Sequence, residues 1–153
     1  MGMLTKVSWP SNFETKVLSQ HTAVARTDVM FMKRDQLSTA DTMRLVEVYR
    51  DAAKQHGEAT EAGDHKTANR SADLISEVYA ELRQRGADAQ RALLPLLTDP
   101  ASGVRLWSAS HALEFAPEEG EAVLKKLASG GTFLGMTAKM TLEECRAGRL
   151  YFR

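Results

Sequence analysis

The chain has 153 residues, 43% apolar and 26% charged, the makeup of one water-soluble domain able to bury roughly 68–70% of its unfolded surface. Twenty basic residues cancel twenty acidic ones, which argues against a bulk electrostatic hold on nucleic acid or an anionic membrane as the main activity. A single cysteine, Cys145, excludes an intrachain disulfide, and no stretch approaches the roughly 20 apolar residues of a membrane helix.

Residues 1–37 read as an irregular N-terminal arm, because no helical stripe runs through them. Trp9, Pro10, Ser11 and Asn12 follow Lys6 before any apolar run of a signal peptide can build, so the expected location is cytoplasmic. Residues 22–32 (TAVARTDVMFM) read as a short strand or a loosely packed arm, and Met32 reads as an alternative start. Deleting residues 1–31 is then expected to leave the thermal midpoint nearly unchanged.

From residue 38 to 153 a helical domain is expected. Ser38 and Thr39 read as N-caps, since their hydroxyls can accept from the free amides of a first turn, and Asp41 adds favourable charge there. Met43, Leu45, Val46, Val48, Tyr49, Ala52 and Ala53 make a wide apolar face that is expected to stop near Gly57, before a polar turn closed by Gly63. Ala68, Ala72, Ile75, Tyr79 and Leu82 step by four, three, four and three, an amphipathic helix with Gly86 as its stop. Asp88 then reads as the cap of a short helix carrying Leu93, Leu94, Leu96 and Leu97, kinked at Pro95.

Ser102 opens a further helix, apolar around most of its girth through Val104, Leu106, Trp107, Ala109, Ala112, Leu113 and Phe115, and therefore expected to be buried. Pro117 sits at the first position of the next, which ends at Gly130-Gly131. The last helix runs through Ala138, Leu142 and Cys145 to Gly148, with Cys145 expected as a small inward-facing hydrophobe. No segment after residue 38 alternates with period two, so a sheet is not expected.

In residues 93–113 (LLPLLTDPASGVRLWSASHAL) an apolar helix meets an Asp-Pro turn and a second helix rich in small residues. Asp99 can accept from the free amides of that helix, Pro100 stops the first one, and Arg105 can reach back to the turn. This segment resembles a HEAT repeat. Over roughly residues 37–150 the chain resembles an uncharacterised bacterial HEAT-like family, domain of unknown function twenty-nineteen. The matching residues are Leu45–Tyr49, Ala68-Asn69, Ile75, Tyr79, Leu82, Leu93–Pro100, Val104–Trp107, Thr141-Leu142, Gly148 and Leu150. The resemblance implies an all-α superhelix of about five to six helices in antiparallel pairs, and a partner-binding scaffold. Some small helical proteins of this type act as immunity proteins beside bacterial toxins.

Chemistry is thin along the chain. His21, His56, His65 and His111 are scattered; Glu61, Asp64 and His65 are the nearest approach to a ligand set and read as a solvated turn. His111, with Glu114 nearby, reads as a hydrogen-bonded core or rim histidine. No metal, cofactor or catalytic set is expected. Trp107 reads as a core anchor, or as a binding hot spot beside Arg105 if half exposed. The expected partner is another protein, for instance a cognate toxin, met through Glu61, Asp64, Asn69, Arg70, Asp73, Glu77, Arg105 and Trp107. A homodimer is compatible with the absence of net charge. A nucleic-acid-binding module and an enzyme or enzyme accessory are the alternatives, the first disfavoured by the neutral balance and the second by the lack of any assembled site.

Overall fold

The computed structural model describes residues 32–150 and Phe152, and among these every regular element is helical. The elements are α1 (Arg34–Thr39), α2 (Thr42–Ala62), α3 (His65–Arg85), α4 (Ala87–Arg91), a 3-10 turn (Leu94–Thr98), α5 (Ser102–Phe115), α6 (Pro117–Ala128) and α7 (Phe133–Arg146). Among the described residues seven helices stand where about five to six were expected, because α1 and α4 are short turns without a stripe of their own.

Two 21-residue helices, α2 and α3, form an antiparallel hairpin joined by Gly63 and Asp64. Gly63 takes φ 74°, a left-handed cap that a side chain would strain, and the Asp64 carboxylate then accepts from Thr67 N at 3.1 Å. Beyond the hairpin, α5 packs on α2, α6 packs on α5, and α7 closes the far end against α6 and α5. The core follows the same order. Leu45, Val48, Ile75, Val78, Leu82, Leu93 and Val104 fill the space around α2 and α3, and Leu106, Ala109, Leu124, Leu134, Ala138 and Leu142 fill that among α5, α6 and α7.

Several boundaries differ from the sequence reading, each for a local reason. Asp41, not Ser38 or Thr39, caps α2, accepting from Arg44 N at 2.7 Å; both hydroxyls instead donate to the Asp35 carbonyl, at the end of α1. Helix α2 does not stop at Gly57 but runs to Ala62. Gly57 is where α5 comes closest, so that a Cβ there would sit 3.0 Å from Gly103 Cα. Gly86 caps the end of α3 as expected and also opens α4, whereas Asp88 lies in the first turn of α4 rather than at its cap. Pro95 does not kink a helix; the leucine run is a separate 3-10 turn with the proline at its start, where no amide is needed.

Helix α5 is central as expected, with none of residues 102–116 exposed. Cys145 is a correction: it is exposed on α7, whose inward positions are Leu134, Ala138 and Leu142. Leu37, on the arm side of the boundary at residue 37, is buried in the core, and Arg85 donates to the carbonyls of Leu37 and Ser38, fastening α1 to the end of α3. The readings made for residues 1–31 lie outside the described residues.

Candidate functional site

The densest chemistry lies where α2, α3 and α5 meet. Tyr49 and Tyr79 sit on the buried stripes of the hairpin, where the ring adds to the core but the hydroxyl needs a partner. Helix α5 supplies both partners. The Tyr49 hydroxyl lies 2.6 Å from His111 Nδ1, and the Tyr79 hydroxyl donates to Glu114 Oε1 at 2.5 Å. Gln90, from α4, donates to the Tyr79 hydroxyl at 3.0 Å and to Glu114 at 3.1 Å, and Arg83 pairs with the same carboxylate at 2.9 Å. The His111 ring stacks flat on Tyr79 with centroids 3.8 Å apart.

Trp107 extends the cluster. Its indole N–H donates to His56 Nδ1 at 3.0 Å, and its ring lies 5.9 Å from that of His111. Phe152 covers the outer side, its ring 6.4 Å from His111 and its carbonyl accepting from Arg83.

Burial sets the electrostatics. It pushes the His111 imidazole down to about 3 and that of His56 to about 4, so both are neutral near pH 7. Burial likewise raises both tyrosines, helped for Tyr49 by the neighbouring Tyr79 and for Tyr79 by its bond to Glu114. The neutral His111 imidazole, held between the Tyr49 and Tyr79 phenols, binds the three helices together, and the neutral His56 ring accepts from the Trp107 indole. No group of three metal-ligating side chains occurs among the described residues.

The eight residues singled out from the sequence do not converge on one site. Asp64 is spent on its cap. Arg105 is folded back on its own loop, donating to the carbonyls of Asp99 and Pro100 and to the Ser102 hydroxyl, the structural alternative read for it. Trp107 is partly buried, with its N–H taken by His56. Asn69 and Arg70 are half-buried and each has an interaction within the chain. Glu61 and Asp73 are exposed and Glu77 is half-buried, and none of the three forms an ion pair among the described residues. Sequence reasoning missed Tyr49, Tyr79, Gln90, His56 and Arg83 as members of one network. The available signal was a tyrosine on each core stripe, whose hydroxyl had to end on something polar.

A shallow cleft of about 360 Å³ opens beside the start of α5, lined by Lys54, Glu58 and Glu61 from α2, by residues 100–103 and by Leu134. A family model described as a domain of unknown function, DUF2019, matches residues 43–145. The chain belongs to this family. No curated protein and no solved structure matches it. The DUF2019 match runs from the first turn of α2 to the last turn of α7, so it takes in Tyr49, Tyr79, His111, Glu114, Trp107 and the cleft, while Phe152 lies beyond it. No helix of the described residues is long and apolar enough to cross a membrane.

Proposed function

We propose that this DUF2019 domain is a HEAT-like, protein-binding scaffold of the bacterial cytoplasm, and that its partner is a basic protein such as a cognate toxin whose active site it covers. The reading is supported by how the domain distributes its polar groups. Its half-buried histidines and Glu114 are bound to the buried tyrosines and to Trp107, so they tie helices together. The carboxylates of Glu61, Asp73 and Glu77 at the hairpin form no ion pair among the described residues. Glu61 also lines the cleft beside the Lys54–Glu58 pair, which leaves one negative charge in excess there.

The unpaired carboxylates carry the proposal. Such charges select a basic partner and speed its arrival, and they stabilise the free domain little. The test is binding of the neighbouring gene product to the purified domain, followed by charge reversal. Glu61→Lys with Asp73→Lys should weaken a micromolar or tighter complex by tenfold or more and leave the fold intact. No binding at micromolar concentration, or binding indifferent to reversal, removes the proposal.

A further inference from the structure

On α7 the buried positions Leu134, Ala138 and Leu142 point into the domain. Phe133, Met136 and Met140, spaced three and four apart, are 62%, 61% and 59% exposed and form a second apolar stripe on the open side. We propose that this stripe is the face on which two copies of the chain pair, α7 against α7, about a two-fold axis.

Position in the fold makes the stripe unusual. Helix α5, against which α7 packs, has no exposed residue at all. Helix α7 is the last of the described helices and packs on α5 and α6, leaving Phe133, Met136 and Met140 exposed.

The area and the charges point to a second copy. A large exposed side chain presents roughly 150–250 Å², so the three offer roughly 300–450 Å² of apolar surface at their observed exposures. That lies in the ~300–600 Å² range of the largest patch on a typical monomer, a size that is often functional, and is roughly half the ~800 Å² per partner of a standard interface, so the pairing is a weak, concentration-dependent one. Around the stripe α7 carries Lys139 and Arg146 against Glu143 and Glu144, two of each sign. Arg146 is already near Glu121, and Glu144 is held by Arg149. Such a rim attracts neither a basic nor an acidic partner and offers no cationic excess for an anionic membrane. A copy of itself meets no net repulsion, and an apolar stripe is self-complementary under two-fold symmetry.

The experiment is sedimentation equilibrium of the full chain at micromolar to 100 µM concentration, with Met136→Glu and Met140→Glu as variants. Met43→Glu is the control, since Met43 is equally exposed, at 67%, on the first turn of α2. The unaltered chain and the control should sediment as dimers, and both α7 variants as monomers with unchanged helical signal and thermal midpoint. A monomeric unaltered chain at 100 µM overturns the proposal, as does a dimer that survives both substitutions. Dissociation by Met43→Glu, or a monomer that instead co-sediments with neutral phosphatidylcholine vesicles through Met136 and Met140, overturns it too. These outcomes do not depend on whether a basic partner is found.

Discussion

His111 Nδ1 lies 2.6 Å from the Tyr49 hydroxyl while the same ring rests flat against Tyr79, 3.8 Å away, so one imidazole joins both helices of the hairpin to α5. With the ring neutral and its proton on Nε2, the tyrosine O–H donates to Nδ1. Protonation would put a second N–H opposite that hydroxyl and a charge among apolar neighbours.

Stability should therefore fall in mild acid. A free imidazole titrates near 6.5, whereas His111 and His56 in the fold are held to about 3 and about 4. Below pH ~6.5 the unfolded chain takes up protons that the folded chain refuses, so stability is complete above about pH 7 and declines as pH falls towards 4. Each imidazole contributes a slope of up to ~1.4 kcal/mol per pH unit. The groups facing His111 are Tyr49, Tyr79 and Trp107, with Glu114 and Arg83 at the edge. Urea midpoints should be flat from about pH 7 to 9 and drop between 6.5 and 4.5. His111→Gln should flatten that drop by about half, and an unchanged slope would remove the account.

Phe152 closes the network from outside. It is partly buried against His111 and its carbonyl accepts from Arg83. Truncating a fully buried phenylalanine costs about 3–5 kcal/mol, so Phe152→Ala should cost about 1–2 kcal/mol and lower the thermal midpoint by roughly 3–8 °C. In a Trp9→Phe background the emission of Trp107 should shift to the red as water reaches the cluster. An unchanged midpoint and spectrum would mean that the tail contributes nothing there.

Asp99 is almost buried, with 7% of its side chain exposed, and both oxygens are used: Arg50 Nε donates to one at 2.6 Å and Ala101 N to the other at 2.9 Å. Asp99→Ala breaks the turn that leads into α5 and the link to α2 together. The expected loss is about 2–3 kcal/mol, less than for a fully buried pair because Arg50 is 41% exposed. Asp99→Asn keeps an acceptor for Ala101 and should lose about half as much by denaturant unfolding.

These residues also mark what the sequence made legible. Asp99 was expected to accept from the first amides of α5 and instead accepts from Ala101 N, just ahead of the helix, which has no side-chain cap. The Asp-Pro turn announced the return of Arg105 to its loop, because that is local chemistry within six residues. The long stripes announced α2, α3 and α5 for the same reason. Partners 35, 51 and 62 residues apart, as in Tyr79–Glu114, His56–Trp107 and Tyr49–His111, carry no local signal, and only the stacking of α5 on the hairpin brings them together. Cys145 was misread because a helix that ends the stack needs only one inward stripe, and a small apolar residue just off it can face solvent.

Gly57 carries the last prediction, because a glycine in a helix is ordinarily a weakness and here marks a close approach. A Cβ on Gly103 would lie 2.7 Å from the Ala53 carbonyl oxygen and 3.0 Å from Gly57 Cα, all backbone that cannot swing aside. Gly103→Ala should thus push α5 off α2 and cost about 1–3 kcal/mol despite the better helix former. Gly57→Ala meets Gly103 Cα at 3.0 Å but gains roughly 1 kcal/mol of helix propensity, so its net loss should be smaller. Gly63→Ala has open space around it and pays only for a left-handed φ of 74°, about 1 kcal/mol. Thermal unfolding should then rank Gly103→Ala as the most damaging of the three. If Gly63→Ala were worst, backbone conformation rather than the contact between α2 and α5 would be the tighter constraint on this fold.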